Sequence, residues 1–398
     1  MSWDIPQPFP VSSPPPPRWS LWWRWLSLCC FLLVLAGAAL WFLLHDSRVL
    51  LWTLVSVTGC IALFALLGGW MLFRSGVDGE HAQGLMEYNR LQEYQWQRWA
   101  QQSVPVVAWY SLFPAGVLAA GNENEAVSAD IPLMSPHYPG DSWLMEEIIM
   151  ALLPELQSVI HQQPLEVCLP EGADHTQWRQ FVACWQQAGL PVNRLTAPAT
   201  SVSGYEVTLG HWLQEPVTDR ARLVIVKHWT GVGEYTEGVV AWLLAPEGSQ
   251  HGLPVRCSLH RPDAVAQGDE ASGFTQFLHY QPLTTQMAGF WTDRASKAQA
   301  DSLVIAHSQR LKKVADDKSD AGDPASAALP PSMPAQYWLP HWLGQSGPCA
   351  DWFAVTLMMA MAEHCGGVQC ALLSSDSTGP SLPTWILASV SAGAFVND

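Results

Sequence analysis

The chain has 398 residues, enough for one large domain or two small ones, and it carries 19 Lys and Arg against 35 Asp and Glu, a formal net charge of −16. Residues 74–398 hold 16 of the basic and 33 of the acidic side chains, a surface that repels phosphate backbones and disfavours lying flat on anionic lipid. Nucleic acid is therefore excluded as an expected partner.

Residues 1–24 form a proline-rich leader, "IPQPFPVSSPPPP", expected to be extended or disordered. From Trp25 to Leu44, and again from Val49 to Phe73, no side chain is charged. These runs of 20 and 25 residues are each long enough, as helix, to cross the roughly 30 Å hydrocarbon core of a bilayer. Only "HDSR", His45 to Arg48, separates them, so residues 25–73 read as a transmembrane helical hairpin. A buried helical hairpin of a soluble protein is the competing reading. A signal peptide fits poorly, because a second apolar run follows and no small-residue cleavage site intervenes. Arg18 and Arg24 precede the first run and Arg74, Arg90 and Arg98 follow the second, whereas the turn has Arg48 alone. That asymmetry places both ends in the cytoplasm and the turn outside.

After the hairpin, residues 74–103 contain "AQGLMEYNRLQEYQWQRWAQQ", a polar helix with Leu85, Tyr88 and Leu91 on one side. From Val104 the pattern changes. "VPVVAWYSLF" reads as a strand, and a helix starts near Ser142 with a kink at Pro154. "LEVCLP" is a strand, and "DHTQWRQFVACWQQAG" a helix with Asp174 as N-cap and Gly189 as its stop. "YEVTLG", "ARLVIVKHW", "GVVAWLLA", "VRCSLH" and "DSLVIAHS" follow as strand-like runs. Residues 315–335 are low in complexity and read as a linker or loop. "WLGQSGPCADWFAVTLMMAMAEHCGG" then reads as a glycine turn leading into an apolar helix capped by Ser346 or Asp351, ending at Gly366 and Gly367. "VQCALL" and "TWILASVS" close the chain as two strands. Strands alternating with helices of this length predict an α/β body, residues 104–398, with a largely parallel sheet.

No pattern carries chemistry by itself. The nine cysteines include no CxxC pair, so neither a zinc site nor a disulfide framework is expected, and reduced buried thiols suffice. Of the 13 histidines, His228, His279 and His341 stand singly beside aromatics, and no pair has HxxxH or HxH spacing. His364, Cys365 and Cys370 are close in sequence, but a helix end and a strand hold them apart. No GxSxG elbow follows a strand, and "GVGEYTEG", Gly231 to Gly238, joins two strands rather than cradling phosphate. Many of the 22 tryptophans flank loops, among them Trp212, Trp229, Trp291, Trp338, Trp342 and Trp352, as core residues or as interface anchors.

The ending "DSLVIAH", linker, "LGQSGPCADW", helix, "VQCALL…TWILAS" resembles the C-terminal half of the β-ketoacyl synthases, which have the thiolase fold. That resemblance implies a thiolase-like body and places Gly344 and Gly347 in the family's glycine loop. It also implies that the loop has lost its chemistry. Gln345 stands where condensing members carry a histidine, Pro348 and Cys349 replace two alanines, and Trp352 replaces a glycine. Trp352 is expected to fill the cleft. The elbow cysteine has no counterpart, since Leu169 and Pro170 follow Cys168 and no helix begins after Cys257. The segment Tyr88 to Gly116 further resembles type VI secretion-associated proteins that adapt lipase effectors. Together these imply a bacterial inner-membrane adaptor, anchored through residues 25–73, that binds an effector or spike protein. No catalytic, cofactor or metal residue is expected. The alternative is a membrane-tethered acyl-thioester enzyme with altered residues.

Overall fold

The computed structural model describes residues 3, 5–11, 19–46, 48–113, 140–170, 175–196, 220–229, 235–246, 253–266, 268–293, 297–320, 333–344, 347, 349–375 and 384–393. The chain divides into two compact units, Ile5–Gln97 and a body made of Met1–Asp4 with Arg98–Asp398.

The first unit is a helical hairpin. Helix α1 spans Trp19–Leu44 and α2 spans Arg48–Ala100, so the second apolar run and the polar segment after it form one continuous helix of 53 residues. The helices run antiparallel. A Cβ on Gly37 would run into the Thr53 side chain, and Trp22 packs on Phe64 with ring centroids 5.2 Å apart. Both helices are long and apolar enough to cross a membrane. Only 6% and 0% of their most apolar windows are buried, which sets them apart from the core helices of a soluble protein. Within this unit Phe9 packs edge-on against Tyr88 at 5.6 Å, and its N–H and C=O are both bonded to the Asn89 amide.

The body is a mixed α/β structure built twice over. Its first half contains β1 (Ser103–Leu112), α3 (Asp141–Ala151), α4 (Leu153–Gln162), β2 (Leu165–Cys168), α5 (His175–Gln187), β3 (Leu195–Thr196), β4 (Ala221–His228) and β5 (Gly238–Leu244). The second half contains β6 (Cys257–His260), β7 (Asp263–Ala266), α6 (Glu270–Tyr280), β8 (Met287–Thr292), α7 (Lys297–Asp320), β9 (Ala335–Trp338), α8 (Leu339–Leu343), α9 (Ala350–Cys365), β10 (Val368–Ser375) and β11 (Thr384–Ala392). The strands form one sheet in the order β3-β2-β4-β5-β1-β6-β11-β10-β8-β9, with β7 also paired to β11. Numbered from its own start, with β7 left out, each half therefore reads third, second, fourth, fifth, first. In each half the third, second and fourth strands are parallel, and the fifth is antiparallel to both its neighbours. The antiparallel pairing of β1 with β6 joins the two halves.

Burial follows this plan. One face of the first half carries Val107, Leu223, Ile225, Ala241 and Leu243 against α3, α4 and α5, which contribute Ile148, Leu156, Phe181 and Trp185. The other core lies under α9, which contacts β5 and β6 as well as β10 and β11 and so spans the junction of the halves. Every residue from Trp352 to Met359 is buried, which explains why this helix is apolar all round.

Five sequence expectations change. The sheet is mixed rather than largely parallel, with four parallel and six antiparallel pairings among the described residues. "DSLVIAHS" is helical, inside α7, because Leu303 and His307 are buried four residues apart while Ile305 between them is 56% exposed. The neighbouring strand is β8, whose Gly289 pairs with Gln369 and leaves room for the Gln369 carboxamide. Third, Asp351 does not cap α9. Its N-cap is Cys349, and Asp351 lies in the first turn, where a carboxylate favours the positive end of the helix. Fourth, Cys365 is exposed rather than buried. Fifth, the expected loop at 315–335 is shorter at both ends, because α7 runs on to Asp320 and β9 begins at Ala335. Breaks at Leu152, before Pro154, and at Gly189 (φ +76°) agree with the pattern, and Gly366 (φ +70°) ends α9. Asp174 and "YEVTLG" lie outside the described residues.

Candidate functional site

The glycine turn before α9 packs on the connection between β4 and β5. Gly344 adopts φ +64° and donates its N–H to the Pro340 carbonyl at 2.9 Å, ending α8. At Gly347 a Cβ would lie 2.9 Å from the Tyr235 Cβ and 3.3 Å from His228 Nε2, so close approach excludes a side chain. The Thr236 hydroxyl donates to the Leu343 carbonyl and ties the same two segments together. Gln345, Ser346 and Pro348 lie outside the described residues.

Beneath the turn the interior is aromatic. Trp352 packs on Trp242 with ring centroids 4.7 Å apart, and both are buried. Trp242 Nε1–H donates to Thr356 Oγ1 at 2.9 Å, and that hydroxyl donates in turn to the Trp352 carbonyl at 2.8 Å. Phe353 meets Phe113 edge-on at 5.4 Å, and Gly238 is pinned between them. Around Trp291 a second cluster forms, with Tyr337 stacked at 4.4 Å and Trp342 at 5.3 Å, and the indole N–H donates to Gln369 Oε1. Of the loop tryptophans, Trp291 and Trp352 are thus core, Trp229 and Trp342 are half-buried, and Trp338 is 38% exposed. Trp212 lies outside the described residues.

Three buried thiols of the body, Cys168, Cys257 and Cys370, are poor nucleophiles. Burial pushes Cys168 up to about 11 and Cys370 up to about 12, and it raises Cys257 further. No cysteine occurs between Cys184 and Cys257, so the stretch following β3 offers no thiol. Among the described residues no group of three or more His, Cys, Asp or Glu is placed to hold a metal.

One side chain stands out that sequence reasoning passed over. His228, the last residue of β4, is 5% exposed, and neither ring nitrogen has a hydrogen-bond partner among the described residues. Burial lowers its pKa, and the charge of Glu237 acts in the opposite sense. Its ring meets Tyr235 edge-on at 6.0 Å. In the sequence His228 showed only as a lone histidine beside Trp229. Its neighbour Gly347 lies more than a hundred residues away, so no local spacing could have paired them.

No family model matches the chain, and no curated protein matches it. Among solved structures it is similar to thiolase- and ketosynthase-fold enzymes. A type II polyketide acyl-carrier protein in complex with its ketosynthase aligns at TM-score 0.42 and 9% identity, covering 73% of this chain and 99% of that one. The peroxisomal 3-ketoacyl-CoA thiolase of Saccharomyces cerevisiae aligns at TM-score 0.35 and 11% identity, over 72% and 97%. The priming β-ketosynthase of the R1128 polyketide pathway aligns at TM-score 0.35 and 11% identity, over 73% and 96%. Likenesses at these scores carry no argument about chemistry. The duplicated strand order stands on this chain's own pairings.

Proposed function

We propose that the chain is a membrane-anchored, non-catalytic accessory protein whose thiolase-like body binds another protein. The observation that carries this reading is the packing of Trp352 on Trp242. The interior under the glycine turn is filled by interlocked aromatics, where an acyl-thioester enzyme needs a cleft. The raised thiols add to it, because the thiolate is the nucleophile in such chemistry. The arginine asymmetry supports a cytoplasmic body on an inner-membrane hairpin. In its most concrete form the protein is an adaptor of a type VI secretion machine, a reading supported by the pattern of Tyr88 to Gly116.

A second reading, an altered acyl-thioester enzyme, is favoured by His228, a buried imidazole free to act as a base. The full chain in detergent separates the two. Incubated with acetyl-coenzyme A between pH 6 and 9, it should release no thiol above the uncatalysed background. Turnover that His228→Gln abolishes without unfolding the chain would replace the adaptor reading. In the same preparation from native membranes, the tagged chain should recover a specific protein. Trp143→Ala or Trp338→Ala, the exposed tryptophans of the described body, should weaken that capture about thirtyfold, the loss of a roughly 2 kcal/mol anchor.

A further inference from the structure

Trp3 lies 93 residues of hairpin unit away from Arg98 in sequence, yet it belongs to the body. It is 5% exposed. All three of its polar groups are taken up there. Its backbone N–H donates to Asp263 Oδ1 at 3.0 Å, its indole N–H donates to the Pro262 carbonyl at 2.9 Å, and its carbonyl accepts from Gln276 Nε2 at 3.3 Å. Its ring sits among Trp99 at 6.0 Å (edge-on), Phe277 at 6.0 Å and Tyr280 at 6.3 Å. Tyr280 is a neighbour of both Phe277 and Gln276 on the surface of α6, as positions three and four apart are.

The same place holds the end of α2. The Arg261 guanidinium donates to the Trp99 carbonyl and to Gln102 Oε1, and it lies 4.0 Å over the Trp99 ring. Gln281 Nε2 donates to the Ala100 carbonyl at 2.6 Å. Within the body, the Trp99 and Ala100 carbonyls, at the negative end of a helix, thus meet a cation and an amide. Trp3 closes over these groups, edge to ring with Trp99.

We propose that this socket is a recognition site for one tryptophan of an extended peptide, and that its resident ligand is Trp3 of the same chain. Two features point to recognition rather than to casual packing. Backbone and indole groups are both read, so a Phe or Leu in its place forfeits the bond to Pro262. The ring then fills an aromatic box that would otherwise be exposed. One consequence reaches the membrane. With Trp3 docked, residue 3 and the body lie on the same side, so the apolar segments between them cross a bilayer an even number of times or not at all. This holds whichever reading of the function is right.

Hydrogen exchange on the full chain in detergent tests the site. Trp3→Ala should speed exchange of peptides covering residues 262–266 and 276–281 about tenfold or more, leaving β10 and β11 unchanged. Adding the synthetic peptide MSWDIPQPFPV to that variant should restore protection, and the same peptide with alanine at its third position should not. Unchanged exchange in Trp3→Ala, or equal restoration by both peptides, overturns the proposal. Should Trp3→Ala fail to accumulate, Trp3→Phe serves, with a smaller rise that the peptide again reverses. In sealed membrane vesicles, a Ser2→Cys thiol and the exposed Cys365 must react with an impermeant maleimide from the same side. Reaction from opposite sides also overturns it.

Discussion

Trp352→Ala tests the central claim that the interior beneath the glycine turn is closed. The side chain is 6% exposed, packs on Trp242 at 4.7 Å and lies in the first turn of a helix buried from Trp352 to Met359. A tryptophan buries roughly 150–250 Å². At about 25 cal/mol per Å², that area is worth about 4–6 kcal/mol. Alanine keeps a small part of it, and the lost ring pair adds about 1 kcal/mol. The measured range for such core truncations, about 3–5 kcal/mol, brackets the result, so about 4 kcal/mol is expected. The assay is urea unfolding of the full chain in detergent, followed by near-ultraviolet circular dichroism. That signal reports the packed aromatics of the body. A loss under about 1 kcal/mol would mean that Trp352 borders an open cleft, and the closed-interior reasoning would fall with it.

Other outcomes follow from single groups. Burial raises Asp263 from 3.8 to about 6 and lowers His260 from 6.5 to about 4. The raised carboxyl makes the folded chain bind more protons than the unfolded one between those values, so its contribution to stability falls as pH rises from about 4 to 6. The lowered histidine acts oppositely, its contribution falling as pH drops from 6.5 towards 4. The two offset each other in the intact chain. Asp263→Asn should therefore steepen the acid loss of stability by about 1.4 kcal/mol per pH step near pH 5, read from urea midpoints; an unchanged slope would show that Asp263 titrates normally. In alkylation with maleimide at pH 8, the exposed Cys365 should react at least a hundredfold faster than Cys168 or Cys370, and rapid labelling of either buried thiol would return thiol chemistry to the enzyme reading. Gly347→Ala, meeting Tyr235 and His228, should cost about 1–3 kcal/mol, and a neutral effect would show that the turn can shift.

Much of the architecture was legible because it rests on local pattern. Two uncharged runs of 20 and 25 residues announce the hairpin helices whatever surrounds them. The strands β1, β2, β4 and β5, and the closing pair β10 and β11, are apolar runs bounded by turn residues, and each formed where it was expected. Pro154 in the first turn of α4 and Gly189 at φ +76° mark breaks through local backbone geometry, a ring without an N–H and a conformation glycine adopts without strain. Where local pattern is ambiguous, tertiary contact decided. Leu303 to Ile305 is an apolar run short enough for strand or helix, and burial of Leu303 with His307 on one side settles it as helix. β8 was passed over because Gly289 interrupts its pattern, and it is a strand because β9 and β10 pair with it on both sides.

The candidate site was the least legible part. Gly344, Gly347 and Trp352 could be singled out from sequence, but not what they touch. His228 meets Gly347 only because the β4–β5 connection folds over the turn before α9. Trp3 meets Asp263 across 260 residues of chain, through bonds that a composition of prolines and serines does not foretell. What the sequence alone determined is what depends on neighbours along the chain: helix length, apolar runs, charge balance and breaks. The repeat of the two halves, the filling of the interior and the Trp3 socket depend on contacts between residues far apart. Those contacts exist only once the hydrophobic surfaces have chosen their partners in three dimensions.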